Sequence, residues 1–178
     1  DKANQRFVQT FRSDNLNFFL TAEQQPTVNI VQLYNEQSPL IFEDFNFDGS
    51  EDLAIRNGNN SGYGGPSYDV YVFNQSRGQF VPSKELTALA YENLGMFQTD
   101  PVRKRLTTFT KSGCCWHETT EYAVVPKRGL VATKILTEDA TSSDGRYVYV
   151  TTQTRSNGVN GKMVRKTKRY KMAYYYPD

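Results

Sequence analysis

The 178-residue chain has little of what builds zinc and redox centres, since it contains only one histidine and two cysteines. Structural zinc sites take four Cys or His ligands, so multi-histidine and four-cysteine zinc sites are excluded. No apolar run approaches the roughly 18 residues that a transmembrane helix needs. Excess charge of one sign is also missing, because 21 Lys and Arg oppose 19 Asp and Glu. The resulting net charge of +2 gives no argument for a nucleic-acid partner.

Aromatic residues are abundant, with twelve Tyr and eleven Phe, although the mean hydropathy is only -0.65. This content argues against disorder and favours half-buried sheet surfaces. We expect an all-β fold, a single antiparallel meander arranged as a small propeller-like array, a sandwich or a barrel. One β domain should span residues 1–178, with residues 1–26 as an aromatic-rich segment packed on it. The predicted strands cover residues 7–11, 16–20, 27–34, 40–45, 53–56, 68–73, 79–82, 105–111, 117–125, 130–136, 147–154 and 162–174, and residues 85–93 could form a helical turn.

Oxygen-bearing side chains mark residues 42–53 as a candidate calcium loop. They stand at alternate positions, as Asp44, Asn46, Asp48, Ser50 and Asp52. Gly49 permits the sharp turn of an EF-hand-type loop, and Ser50 would offer its backbone carbonyl. Without a cation the carboxylates would repel one another. We predict a structural Ca²⁺ site; an Asx-rich turn without an ion and a catalytic metal are the alternatives. The flanking residues have strand patterns, so the loop resembles the strand-to-strand calcium loops of FG-GAP propeller blades.

A glycine-rich segment over residues 57–68 is a candidate binding loop. Its four glycines and one proline disfavour regular structure and should hold Tyr63 on a protruding loop. A phosphate-binding loop is excluded, because neither the required lysine nor a following helix is present. The segment is either a long hairpin connection or an insertion loop. In the second case Tyr63 is the anchor, and Ser61 or Ser67 forms hydrogen bonds.

A second candidate loop gathers both cysteines, the only Trp and the only His within residues 114–117. Adjacent cysteines cannot form a metal knuckle, so Cys114 and Cys115 are two buried thiols, a vicinal disulfide or a catalytic thiol beside His117. Ser112 and His117 could belong to a hydrolase triad, but no nucleophile elbow is present. We therefore expect no enzymatic activity, and the imidazole is either structural or an interface residue.

These motifs, in this order along the chain, resemble a known family. The set comprises the acidic loop, Ser-Gly-Tyr-Gly-Gly-Pro-Ser-Tyr, Ser-Gly-Cys-Cys-Trp-His and the C-terminal hairpin Gly-Lys-Met-Val-Arg-Lys-Thr-Lys-Arg-Tyr. It is similar to the periplasmic immunity lipoproteins of bacterial type IV secretion, which block lysozyme-like effectors and are related to I-type lysozyme inhibitors. The resemblance extends over residues 28–172.

The resemblance implies a periplasmic inhibitor, an outer-membrane lipoprotein being one form of it, with a lipid anchor upstream of this chain. Its partner would be a lysozyme-like peptidoglycan hydrolase, blocked by loops inserted into the active-site cleft. The Ser-Gly-x-x-Tyr pattern of such inhibitors maps onto Ser61 and Gly62, with Tyr63 before and Tyr68 after the strict position of its tyrosine. Ser112 and His117 would add contacts from the second loop.

The last predicted strand is strongly basic, with six Lys and Arg within residues 162–171. Such charges most simply protect an edge strand against aggregation. A surface for anionic lipid, lipopolysaccharide or peptidoglycan is an alternative, and nucleic acid is disfavoured because no recognisable module accompanies the strand. For the whole chain, the alternative to an inhibitor is a calcium-stabilised glycan-binding or adhesin-like β module.

Overall fold

The computed structural model describes residues 8–16, 20–141 and 145–175. The chain divides into two compact units, Asp1–Pro101 and Val102–Asp178. Whether they act as one β domain over residues 1–178 stays a prediction. Among the described residues, no helix has the length and apolar character needed to cross a membrane.

The first unit contains a four-stranded antiparallel sheet in the order β1-β2-β3-β4. Its strands are β1 Leu40–Glu43, β2 Asp52–Gly58, β3 Ser67–Asn74 and β4 Gln79–Pro82. Helix α1, Lys84–Glu92, begins at the N-cap Ser83, whose hydroxyl accepts a hydrogen bond from the Leu86 amide. Alternate residues of β3 point inward, so that Tyr68 and Val70 are buried. The core of the unit also contains Ile41, Phe45, Leu86, Leu89, Met96 and Phe97.

The second sheet is antiparallel and follows the order β10-β9-β8-β7-β6-β5. Its strands are β5 Gln98–Asp100, β6 Arg105–Ser112, β7 Trp116–Val125, β8 Gly129–Asp139, β9 Tyr147–Val159 and β10 Met163–Lys171, after which α2 spans Met172–Tyr175. Consecutive strands pair from β6 to β10, as tight turns between alternating sequences predict. The prediction of an all-β, antiparallel meander is confirmed.

The N-terminal segment differs from the prediction. Residues 8–11 lie in no strand, so the predicted strand 7–11 is wrong for its described part, and most of 16–20 lies outside the described residues, as do 1–7. The Gln9 side-chain amide instead exchanges two hydrogen bonds of 2.9 Å with the backbone of Phe80 on the edge strand β4. The Phe11 ring packs edge-on against Tyr71 and Phe80. Side-chain hydrogen bonds and ring packing thus attach this segment to the first sheet without a paired strand.

The predicted strand 27–34 is also wrong. Only isolated bridges form there, between Val28 and Leu40 and between Val31 and Gln37. Left-handed backbone at Asn29 and Tyr34, with φ of 61° and 60°, interrupts any extended run. The remaining strands and the helical turn at 85–93 lie where the sequence places them, within a few residues, except that 162–174 divides into β10 and α2.

Candidate functional site

The glycine-rich loop of the first unit is held by its own backbone. Its centre is a 3-10 turn, Gly62–Gly64. The Ser61 amide donates to the Gly65 carbonyl at 3.2 Å, and the Gly65 amide donates to the Gly62 carbonyl at 3.0 Å. The Gly62 amide donates to the Asn93 carbonyl at 3.0 Å, just beyond α1. A Cβ at Gly62 would lie 3.2 Å from that carbonyl oxygen, a tight contact that glycine avoids.

Tyr63 lies at the tip of this turn and is 64% exposed. Its backbone is left-handed, with φ 55° and ψ 28°, which is rare for a residue with a large side chain. The left-handed backbone is shared with Tyr34, whose φ is 60°, so it does not by itself assign a role to the Tyr63 side chain. The expectation that the loop presents Tyr63 outward agrees with this geometry.

The other residues predicted in this loop lie deeper. Ser61 is only 8% exposed, and its hydroxyl has no hydrogen-bond partner among the described residues. Ser67 is fully buried, and its hydroxyl donates to Asn57 Oδ1 at 2.7 Å. Tyr68 is also fully buried; its hydroxyl donates to the Ser38 carbonyl at 2.9 Å, and burial raises its pKa. Tyr68 is a core residue of β3, so its prediction as a partner-binding residue is wrong.

The acidic loop between β1 and β2 folds as a set of side-chain to backbone hydrogen bonds. Asp44 Oδ1 and Asn46 Oδ1 each accept from the Asp48 amide at 3.0 Å, and Asp44 Oδ2 accepts from the Gly49 amide at 2.8 Å. Asp48 Oδ1 accepts from the Ser50 amide at 2.9 Å. The bonds accepted by Asn46 and Asp48 are those of successive Asx turns, and the two accepted by Asp44 close the loop over four and five residues.

Asp52, the last member of the predicted ligand set, is fully buried at the start of β2. Its two carboxylate oxygens accept from the amides of Phe45 and Phe73, at 2.9 Å and 2.8 Å. Desolvation raises its pKa from the ordinary 3.8 to about 6, although these amides and that of Asn46 oppose the shift and the nearby Asp48 charge adds to it. Asp52 therefore connects the acidic loop to β3 through charge-assisted hydrogen bonds.

Within the part of the chain that the structure describes, no group of three or more His, Cys, Asp or Glu side chains lies close enough together to hold a metal ion. The oxygens of Asp44, Asn46 and Asp48 are hard ligands of the kind that Ca²⁺ takes. Calcium binding by Asp44, Asn46, Asp48, Ser50 and Asp52 stays a prediction.

The second predicted loop is the turn of the β6–β7 hairpin. Ser112 pairs in register with Trp116 across the turn, and Gly113 has φ 63°. Cys114 and Cys115 are joined to each other by a disulfide. The turn is attached to the end of β8, because the Ala140 amide donates to the Cys115 carbonyl at 2.7 Å.

His117 lies on strand β7 rather than at the tip of the turn. Its ring stacks on Phe109, with 5.8 Å between ring centroids and 26° between the planes. In register it stands between Lys111 on β6 and Glu138 on β8. The half-buried imidazole is thus part of the sheet surface, while Ser112 is exposed at the end of β6.

A cleft of about 360 Å³ on the same sheet was not predicted from the sequence. Trp116, Asp139 and Tyr149 lie side by side in it, because Trp116 pairs with Asp139 and Asp139 with Tyr149. Further polar residues complete its lining: Thr137, Thr151, Gln153, Arg165 and Thr167. The only signal in the sequence is the alternation of these residues along their strands, which has no meaning until the register is known.

No protein-family model matches this chain, and no curated protein is significantly similar to it. Among solved structures, the chain is similar to a Xanthomonas type IV secretion system related protein, with 27% sequence identity and a TM-score of 0.61. The match covers 75% of this chain. The chain spans 60% of the length of that protein. This similarity agrees with the secretion-system part of the resemblance drawn from the motifs.

Proposed function

We propose that this chain is a periplasmic immunity protein of type IV secretion, which inhibits a lysozyme-like peptidoglycan hydrolase and has no enzymatic activity of its own. The similarity to a type IV secretion system related protein supports a role in type IV secretion. The order of the sequence motifs supports the hydrolase as the partner.

The observation on which the proposal rests is the exposed Tyr63 on a loop closed by its own hydrogen bonds. Lysozyme-type clefts contain two carboxyl groups on either side of the scissile bond. A tyrosine hydroxyl can donate to such a carboxylate, while its ring occupies the space of a sugar. Because the Ser61–Gly65 turn is already formed, little conformational entropy is lost on docking.

The other predicted contacts have unequal support. Ser61 and Gly62 shape the turn rather than face outward, since Ser61 is buried and Gly62 is bonded to Asn93. In the second unit, Ser112 is exposed and His117 is half-buried. The resemblance alone supports a part for Ser112 and His117 in binding the partner.

A matched pair of variants tests this proposal. Tyr34 is, like Tyr63, an exposed tyrosine in left-handed backbone, with φ 60° and 56% exposure. The chain should inhibit the hydrolysis of peptidoglycan by a lysozyme-like enzyme. Tyr63→Ala should weaken inhibition at least about thirtyfold, as loss of an interface hot spot does. Tyr34→Ala should leave it unchanged.

Inhibition constants against a panel of lysozyme-like hydrolases measure this effect. If no enzyme in the panel is inhibited, or if both variants lose inhibition equally, the proposal is wrong.

We also propose that Ca²⁺ binds the acidic loop as a structural ion. The chemistry of the ligands supports this, because Ca²⁺ takes oxygen ligands. Asp44, Asn46 and Asp48 supply side-chain oxygens within one short loop, where they accept hydrogen bonds from its backbone amides. When bound, the ion would neutralise carboxylates that otherwise repel one another. These residues already order the loop through hydrogen bonds to its backbone amides.

Glycan binding is the second candidate function, and the Trp116–Tyr149 cleft favours it. Aromatic rings stack on sugars, and the surrounding Thr, Gln, Asp and Arg side chains can bond their hydroxyl groups. Trp116 is the only tryptophan, so its fluorescence reports on this cleft alone. Titration with soluble peptidoglycan fragments should change the fluorescence if this function is right, and Tyr149→Ala should abolish the change. A flat titration excludes it.

A further inference from the structure

The hairpin of β9 and β10 has a charge unlike that of the rest of the chain. Residues 146–171 include eight basic and no acidic residues. The basic residues are Arg146, Arg155, Lys162, Arg165, Lys166, Lys168, Arg169 and Lys171. Because the whole chain has a net charge of +2, the remaining residues sum to 2 − 8 = −6. The small net charge therefore conceals a strongly basic hairpin.

Within the described part of the chain, none of the hairpin residues Lys162, Lys166 and Lys168 forms an ion pair. Arg155 donates to the carbonyls of Ala132 and Gly161, and the Arg169 guanidinium lies 4.4 Å from the centre of the Tyr147 ring. Several exposed cations without a carboxylate partner on one hairpin favour an anionic ligand.

Strand β10 presents these cations at an edge of its sheet, since β9 is its one paired neighbour among the described strands. All of its residues after Met163 are exposed. Lys166 and Lys168 lie opposite Thr152 and Val150 and line a groove of about 560 Å³ with Tyr170 and other hairpin residues. Arg165 and Arg169 point to the other face of the strand.

Exposed apolar and aromatic side chains accompany the charges. Tyr174 in α2 is 80% exposed, Val164 46%, Tyr170 38% and Tyr149 37%. Tyrosine is typical of the boundary between lipid headgroups and acyl chains, where its ring is apolar and its hydroxyl stays wet. A basic surface with such residues at its margin is typical of proteins that lie on anionic membranes.

We propose that the β9–β10 hairpin is a docking surface for an anionic phospholipid membrane. Charge complementarity supports this occupant, since phosphate headgroups match a hairpin that has eight basic and no acidic residues. Addition of an acidic peptide strand to β10 is less suited, because lysines along an edge strand oppose strand pairing. Cations on both faces of an edge strand instead match the evenly distributed negative charge of an anionic membrane surface.

Vesicle sedimentation with the 178-residue chain tests the proposal. The chain should bind vesicles of equal parts phosphatidylcholine and phosphatidylglycerol at low salt. It should not bind vesicles of phosphatidylcholine alone. High salt should release it, because exposed charges are screened beyond about 10 Å at 0.1 M.

Two triple variants of equal net charge identify the surface. Lys162→Gln with Lys166→Gln and Lys168→Gln should weaken binding to the anionic vesicles about a hundredfold. The control replaces three exposed lysines outside the hairpin, Lys84, Lys104 and Lys127, also by Gln, and should bind nearly as well as the wild type. Circular dichroism melting should be alike for both variants, since all six side chains are exposed.

Three results would overturn the proposal. They are failure of the wild type to bind anionic vesicles at low salt, equal loss of binding in both triple variants, and binding that persists at high salt. Selective binding to an acidic protein without binding to anionic vesicles would also overturn the proposal.

Discussion

At the scale of single residues, Asp52 determines how the acidic loop meets the first sheet. A buried carboxylate is costly unless its oxygens are bonded, and here the amides of Phe45 and Phe73 supply that bonding. Burial still raises its pKa to about 6, so the folded chain holds this proton more tightly than the unfolded chain does. Asp52 therefore links the stability of the fold to pH.

The direction of this pKa shift predicts how the free energy of unfolding changes with pH. The measurement is made in EDTA, so that no metal ion binds Asp52. Because the pKa is raised from 3.8 to about 6, the stabilisation by protonated Asp52 is complete below pH 3.8 and is lost as the pH rises through 6. Lowering the pH from 7 to 5 should therefore raise the free energy of unfolding by about 1 kcal/mol from this residue alone. Urea unfolding at the two pH values measures the change.

Asp52→Asn is the control, since an amide does not titrate in this range. The variant should lack this part of the pH dependence. It should also lose about 1–3 kcal/mol of stability at pH 7, because its amide nitrogen cannot accept from a second backbone N–H. Equal pH dependence in both proteins would show that Asp52 is not the titrating group.

At the scale of elements, the acidic loop gives a prediction about metal removal. If Ca²⁺ binds there, EDTA should lower the melting temperature and added Ca²⁺ should restore it, because a ligand of the folded state alone stabilises that state. Asp44→Asn should reduce the calcium effect by removing one ligand charge. Differential scanning calorimetry measures both.

The matched control is Asp14→Asn, which removes an exposed carboxylate elsewhere in the first unit. It should keep the full response to Ca²⁺. A melting temperature that EDTA leaves unchanged in the wild type would contradict the calcium proposal.

Most strands could be predicted from the sequence because their turns have clear chemistry. Strand β4 lies at the predicted residues 79–82, after the turn that ends at Gly78. The predicted strand 27–34 failed because Tyr34 and Asn29 take left-handed backbone, which no local preference of tyrosine indicates. Strand β5, Gln98–Asp100, is short and polar, so it lacks any alternation that could be detected.

The candidate site was predictable only in part. Four glycines indicated an irregular loop, and Tyr63 is indeed exposed on it. Tyr68 was assigned wrongly, although its alternation with Val70 signals an inward position on a strand. The Trp116–Tyr149 cleft depends on register across three strands, which local sequence does not determine.

At the scale of the whole molecule, the distribution of charge matters more than its sum. The hairpin variant Lys162→Gln, Lys166→Gln, Lys168→Gln and the control at Lys84, Lys104 and Lys127 both have a net charge of 2 − 3 = −1. On a cation exchanger the hairpin variant should elute at a clearly lower salt concentration than the control variant, because binding to the resin depends on clustered charge. The salt concentration at elution measures this, and equal elution would contradict a dominant basic surface.

The left-handed backbone of Tyr63 has a consequence for any attempt to make this protein more robust. Glycine at this position would relieve a backbone cost of about 1–2 kcal/mol, so selection for heat resistance alone should favour Tyr63→Gly. The same exchange would remove the ring on which the proposed inhibition depends. Stability and the proposed inhibition are thus opposed at one residue, and a more heat-resistant chain that carries this exchange should fail the inhibition test described above.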